Sequence, residues 1–185
     1  MAEAIRIKTP LSDEVIKKLK AGDNVLITGL LYTARDAAHK KMVELIEKNE
    51  PLPVDISGHL IYYVGPSPAR PGQAIGSAGP TTSMRMDPYA PTVLAAGSKG
   101  MIGKGEMGPG VAKALQEHSG VYLAAVGGAA ALIARSIKKS RVVAWEELGA
   151  EAIREMEVED FPAVVAQDSH GGNIFNQGRE QYQID

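Results

Sequence analysis

The stretch Asn24-Val-Leu-Ile-Thr-Gly-Leu-Leu-Tyr-Thr-Ala-Arg-Asp-Ala-Ala-His-Lys-Lys-Met-Val-Glu-Leu-Ile-Glu-Lys-Asn-Glu-Pro51 decides the fold class. Asn24 to Leu31 is an apolar run of strand length. Thr33-Ala-Arg-Asp36 then opens a helix, with Thr33 and Asp36 at capping-box spacing. Ala38, Met42, Leu45 and Ile46 recur on one helical face until Pro51 stops it. Strand, tight turn and helix in succession form the repeating unit of an α/β protein.

The same alternation extends in both directions. Upstream, Ile5 and Ile7 alternate with polar residues in a short strand, and Ser12 or Asp13 caps a helix that Gly22 ends. Downstream, His59 to Val64 reads as a strand, Asp87 to Ala96 as a short helix, and Pro109 as the first turn of a helix over Val111 to His118. Val121 to Val126 is an apolar strand, Gly127-Gly128 a turn, and Ala129 to Ile137 a helix with Lys138 and Lys139 at its favourable end. Arg141 to Trp145, Ile153 to Val158 and Ala163 to Ala166 are further strands. The expectation is a single α/β domain over residues 1–185, with a mixed, partly parallel sheet flanked by helices and a polar C-terminal arm from about residue 168.

Composition narrows the function classes. The 185 residues carry a formal net charge of −2, so no basic field exists to hold nucleic acid. No stretch has the length and apolarity of a membrane span or signal peptide, so a cytoplasmic protein is expected. The chain contains no cysteine, which removes disulfides, thiolate nucleophiles and any self-ligated iron-sulfur cluster. Ten glycines and seven prolines crowd between Gly65 and Gly110, and that clustering needs an explanation.

Three runs carry groups suited to an anion. Gly79-Pro-Thr-Thr-Ser-Met-Arg-Met-Asp87 puts hydroxyls and Arg85 in one loop, and a guanidinium grips a carboxylate or phosphate through two parallel hydrogen bonds. The same residues also suit a Ser/Thr turn with Arg85 paired to Asp87 at the surface. In Lys99-Gly-Met-Ile-Gly-Lys-Gly-Glu-Met-Gly-Pro-Gly110 the glycine spacing resembles a dinucleotide loop, but the residues before Gly103 make at most a very short strand, Gly127 to Leu132 has no acidic residue for a ribose, and it is no P-loop. What remains is Lys104 between two glycines, open to an anion or part of a flexible surface loop. In the third run, Arg35 in a first helical turn opposes the helix dipole, which an anion bound there would offset. His39, four residues on, shares that face and can move a proton near neutral pH, or it packs over Asp36 on the helix surface. Asp168 and His170, in Gln167-Asp-Ser-His-Gly-Gly172, are two metal-ligand types without a third, or a polar turn. No metal site is expected on this chain.

Tyr32-Thr-Ala-Arg-Asp-Ala-Ala-His39, Val64-Gly-Pro66, Gly79-Pro-Thr-Thr-Ser-Met-Arg-Met-Asp87, Ile102-Gly-Lys-Gly105 with Met107-Gly-Pro109, and Asp168-Ser-His-Gly171 resemble, in order, the motifs of the class I fumarase and L(+)-tartrate dehydratase β-subunit family. The resemblance spans nearly the whole chain. It implies a swivelling β/β/α domain, equivalent to the C-terminal domain of single-chain fumarases, and a hydro-lyase that adds water to fumarate or removes it from tartrate. It also implies a four-iron, four-sulfur cluster which, in a chain without cysteine, belongs to a separate α subunit completing a hetero-oligomer; a homodimer is possible for the isolated chain. By motif, Arg35, Arg85 and Lys104 correspond to the clamp on the substrate dicarboxylate. Thr81 corresponds to the residue acting where a proton is gained or lost, with His39 as the second candidate. Two departures stand out: Met84 where fumarases often have glycine, and Glu106 in place of the last glycine of Gly-Lys-Gly-Gly. A non-enzymatic anion-binding or phosphocarrier module, and a nucleotide-binding enzyme, are the readings from other classes.

Overall fold

A computed structural model describes residues 3–183. Strands β1 (Ile5–Lys8), β2 (Asn24–Thr33), β3 (Leu60–Tyr62), β4 (Gly100–Gly103), β5 (Val121–Ala124), β6 (Ile137–Ala144) and β7 (Ile153–Gln167) alternate with helices α1 (Asp13–Ile16), α2 (Asp36–Glu47), α3 (Ala90–Ala95), α4 (Pro109–Glu117), α5 (Ala130–Ser136) and α6 (Ile174–Tyr182). The sheet order is β1-β2-β3-β4-β5-β7-β6, and β7 also pairs with β2. The ring β2-β3-β4-β5-β7 is therefore closed. β1 to β5 run parallel to one another, while β7 is antiparallel to β2, β5 and β6. The α/β class and mixed sheet expected from the sequence are what the structure shows. No helix among the described residues is long and apolar enough to cross a membrane.

Closing five strands leaves room for side chains alone. Val25, Ile27, Leu31, Leu60, Tyr62, Ile102, Val121, Leu123, Met156, Val158, Phe161 and Val165 fill the interior. Their outward-pointing neighbours, Tyr32, Ile61, Tyr63, Met101 and Tyr122, pack under Ala38 and Met42 of α2, Val93 and Leu94 of α3, and Ala114 and Leu115 of α4. The alternation slips phase once on β7: Met156 and Val158 point inward, then Phe161 and Val165. Asp160 sits between them with φ of 50°, a conformation that lets the strand gain one residue and stay paired.

That slip accounts for one correction. The two strands expected at Ile153 to Val158 and Ala163 to Ala166 are halves of one fifteen-residue strand. Elsewhere, the helix expected to run to Ile137 ends at Ser136, and Lys138 and Lys139 lie on β6, paired with Glu159 and Glu157 across the ladder. Thr33 caps no helix: it ends β2, and its hydroxyl accepts from the Arg154 N–H and donates to the Ala152 carbonyl. Gly100–Gly103 is a buried central strand, because β3 and β5 pair on its two sides. The expected C-terminal arm contains α6, capped by Asn173; Ile184 and Asp185 lie outside the described residues.

Phe161 is fully buried and meets Tyr62 edge-on at 5.1 Å inside the ring. Phe161→Ala is expected to destabilise the chain by about 3–5 kcal/mol. Urea unfolding of the purified chain measures this, with a shifted midpoint at an unchanged slope as the expected result.

Candidate functional site

The parallel strands β2 to β5 all end at one edge of the sheet, where open and closed α/β folds alike gather their ligand-binding loops. The Gly79 to Ser83 segment is stitched across this edge. Pro80 bridges Val64, and Thr82 bridges Lys104. The Thr81 N–H donates to the Tyr63 carbonyl at 2.8 Å, the Lys104 N–H to the Thr81 carbonyl at 3.2 Å, and the Ser83 N–H to the Lys104 carbonyl at 2.9 Å. Thr81 is thus wedged between the ends of β3 and β4, its hydroxyl donating to the Tyr63 carbonyl at 3.1 Å.

Two glycines make this packing possible. A Cβ on Gly103 would lie 1.8 Å from the Ser83 hydroxyl, and one on Gly65 would lie 2.5 Å from a guanidinium nitrogen of Arg35. Arg35 therefore lies flat on the chain that leaves β3. Lys104 runs past Gly127 beyond β5, where a Cβ would touch its side chain at 3.6 Å. The buried Tyr122 hydroxyl donates its proton to the Gly105 carbonyl at 2.6 Å and accepts from the Ser83 hydroxyl at 3.0 Å, locking the two loops together. Burial pushes its phenol up to about 12, so it stays a donor. Arg35, Thr81, Arg85 and Lys104 come from three sequence segments and are carried by loops of one edge.

The cations are not equally committed. Arg85 grips both oxygens of Asp36, at 2.9 and 2.7 Å. It does not pair with Asp87, whose carboxylate accepts from the Gly108 N–H at the start of α4. Arg35 occupies the N-cap position of α2 rather than its first turn. The anion that this helix end favours comes from the chain itself: one oxygen of Glu151 accepts from the Ala37 N–H at 2.9 Å and the other lies 3.5 Å from Arg35. Lys104 enters no ion pair among the described residues and is exposed.

His39 is not on the helix surface and does not share an open face with Arg35. It is fully buried, with Nδ1 bonded to the Arg35 carbonyl at 2.9 Å and its ring edge-on to Tyr63 at 5.1 Å. Desolvation lowers its pKa to about 4, against smaller opposing effects of the Arg35 carbonyl and Asp36, so the ring is neutral at pH 7. Asp168 and His170 close a turn: Asp168 accepts from the N–H groups of Ala21, His170 and Gly172, and His170 faces the Lys17 carbonyl. Among the described residues no three of His, Asp and Glu gather as a metal ion would require. A hollow of about 520 Å³ between residues 67–77 and α5 is lined by none of the expected residues. The sequence reading missed Glu151, Tyr122 and the Asp36 pairing. Nothing local signals the pairing of Arg85 with Asp36, which spans 49 residues, or Glu151, which folds in from beyond β6.

The buried imidazole has a consequence for stability. Its folded-state pKa lies below the unfolded value near 6.5, so the unfolded chain binds more protons between the two. The contribution is present above pH 6.5 and is lost as pH falls toward 4, on the order of 3 kcal/mol in all. Urea midpoints measured from pH 7 to 4.5 are expected to fall, and His39→Gln is expected to flatten that slope.

The family described as "Fumarase C-terminus" matches residues 1–178. The chain is 44% identical over 153 residues to the anaerobic class I fumarate hydratase of Escherichia coli, covering 82% of this chain and 28% of that protein. It is 40% identical over 182 residues to the aerobic class I fumarate hydratase of Salmonella typhimurium, covering 95% of this chain and 31% of that one. A protein of Methanocaldococcus jannaschii provisionally named L(+)-tartrate dehydratase subunit beta is 42% identical over 173 residues, covering 90% of this chain and 89% of its own. The chain thus spans about a third of the fumarate hydratases it matches and most of the tartrate dehydratase subunit. A match across nearly its whole length, with Arg35, Thr81, Arg85 and Lys104 on one edge of the fold, places this chain in the fumarase C-terminus family.

Proposed function

We propose that the chain is the β subunit of a hydro-lyase that hydrates fumarate to (S)-malate, supplying the carboxylate-binding half of the site to an α subunit. The observation that carries this reading is that the segments following β2, β3 and β4 at one edge of the sheet supply Arg35, Thr81, Arg85 and Lys104. A dicarboxylate needs cations for both ends, and guanidinium forks suit planar carboxylates. When malate loses a proton from the carbon beside a carboxylate, the developing charge flows onto that carboxylate's oxygens. Cations already fixed there stabilise it without reorganising.

Thr81 takes the proton step in this proposal. Its hydroxyl proton rests on the Tyr63 carbonyl, and no carboxylate bonds to it among the described residues, so the activating group comes from the partner. His39, sealed between Tyr63 and the Arg35 carbonyl, holds the start of α2 in place instead. The four-iron, four-sulfur cluster implied by the family resemblance does not fit this chain, which has no cysteine and no cluster of other ligands among the described residues. The α subunit holds it. Met84 and Val126, exposed beside Arg85 and Gly127, supply apolar surface for that partner. A swivelling β/β/α domain accords with a closed ring whose loops open toward a second subunit.

The tartrate dehydratase β subunit is the second reading, favoured by the M. jannaschii relative of matching length. Co-purification with a cysteine-bearing partner and anaerobic assay on fumarate and L(+)-tartrate separates the two; turnover by this chain alone without iron overturns both. In the reconstituted complex, Thr81→Val is expected to lower kcat about 10²-fold or more, while Thr81→Ser keeps most activity. Intact turnover in Thr81→Val would remove Thr81 from the proton step, and intact turnover in Arg85→Ala would count against Arg85 as part of the carboxylate clamp.

A further inference from the structure

Glu106 lies two residues after Lys104, and helix α6 packs against it. Arg179 binds both of its carboxylate oxygens, at 2.9 and 3.0 Å. Asn173, which caps α6 through the N–H groups of Phe175 and Asn176, donates from its side-chain amide to Glu106 at 3.3 Å. Arg179 also donates to the Asn176 side chain at 2.6 Å, which orients its guanidinium.

The rest of this loop is anchored residue by residue. The Gly105 carbonyl accepts from Tyr122, the Met107 carbonyl from Gln167 at 3.0 Å, and the Gly108 N–H donates to Asp87 at 2.9 Å. The Lys104 backbone is bonded to Thr81 and Ser83. Lys104 keeps its ammonium unpaired among the described residues, although a carboxylate follows two residues later. Two residues span at most about 7 Å of chain, inside the screening length of about 10 Å at ordinary salt. A Glu106 carboxylate released from α6 would compete with a substrate carboxylate for Lys104.

We propose that Arg179, steadied by Asn173 and Asn176, is a positioning residue for Lys104. By taking up the Glu106 carboxylate from the C-terminal helix, it keeps that charge off the Lys104 ammonium and holds the loop in the form that receives a dicarboxylate. The inference rests on the reading of Lys104 as a substrate-binding cation. An exposed ion pair contributes little to folding, so its loss should register in substrate binding and not in stability.

The test uses the complex reconstituted with its cluster-bearing partner, with fumarate as substrate. Arg179→Ala is expected to raise KM about five-fold, the order of effect of one exposed ion pair, with kcat and the thermal midpoint nearly unchanged. Adding Glu106→Gln to Arg179→Ala is expected to bring KM back toward the parent value. A double variant as impaired as Arg179→Ala overturns the proposal. So does an unchanged KM in Arg179→Ala where Lys104→Ala raises it, or a lowered thermal midpoint with KM unmoved. If Lys104→Ala leaves KM unchanged, the reading of Lys104 fails first and the proposal falls with it.

Discussion

Strand β7 hydrogen-bonds along one edge to β2 and along the other first to β6 and then to β5. This double pairing turns five strands of the sheet into a ring. Closure leaves β2 and β7 paired on both sides, with β1 and β6 as the sheet's edge strands. It also holds the ends of β2 to β5 on one rim, where their loops must meet. A fifteen-residue strand can serve three partners only by changing phase, and Asp160 with its left-handed backbone provides that change. Arg35, Thr81 and Lys104 depend on this closure for their proximity, since none is near another in sequence.

Two of the three cations on this rim are met by carboxylates from separate elements. Asp36 takes Arg85 and Glu151 takes Arg35 while capping α2, whereas Lys104 enters no ion pair among the described residues. Asp36 and Glu151 thereby fix the orientation of the two guanidiniums. Beneath them, His39, Tyr63 and Tyr122 form a dry floor. Burial keeps the imidazole neutral and the Tyr122 hydroxyl protonated, so these groups set geometry and carry no charge at neutral pH.

The excess of glycine and proline between Gly65 and Gly110 suggests slack chain, and the structure shows the opposite. Gly65 admits the Arg35 guanidinium, Gly103 the Ser83 hydroxyl, and Gly108 the Asp87 carboxylate; a Cβ at any of the three would lie within 2.7 Å of its neighbour. These glycines make close packing possible. Pro91 and Pro109 stand in the first turns of α3 and α4.

By itself the sequence determined the α/β class, the strand-turn-helix unit from Asn24 to Pro51, most helix positions, and the motifs that carry Arg35, Thr81, Arg85 and Lys104. Those features are local: periodicity, turn chemistry and short motifs lie within a few residues of each other. Tertiary structure alone decided that the sheet closes, that Gly100–Gly103 is a central strand, that β7 is continuous across Asp160, and that His39 is sealed in the core. It also decided which carboxylate each cation meets, since Arg85 and Arg179 reach their partners across 49 and 73 residues of chain. Burial and long-range pairing arise only when distant segments pack, and a pattern read over one window of sequence contains no record of them.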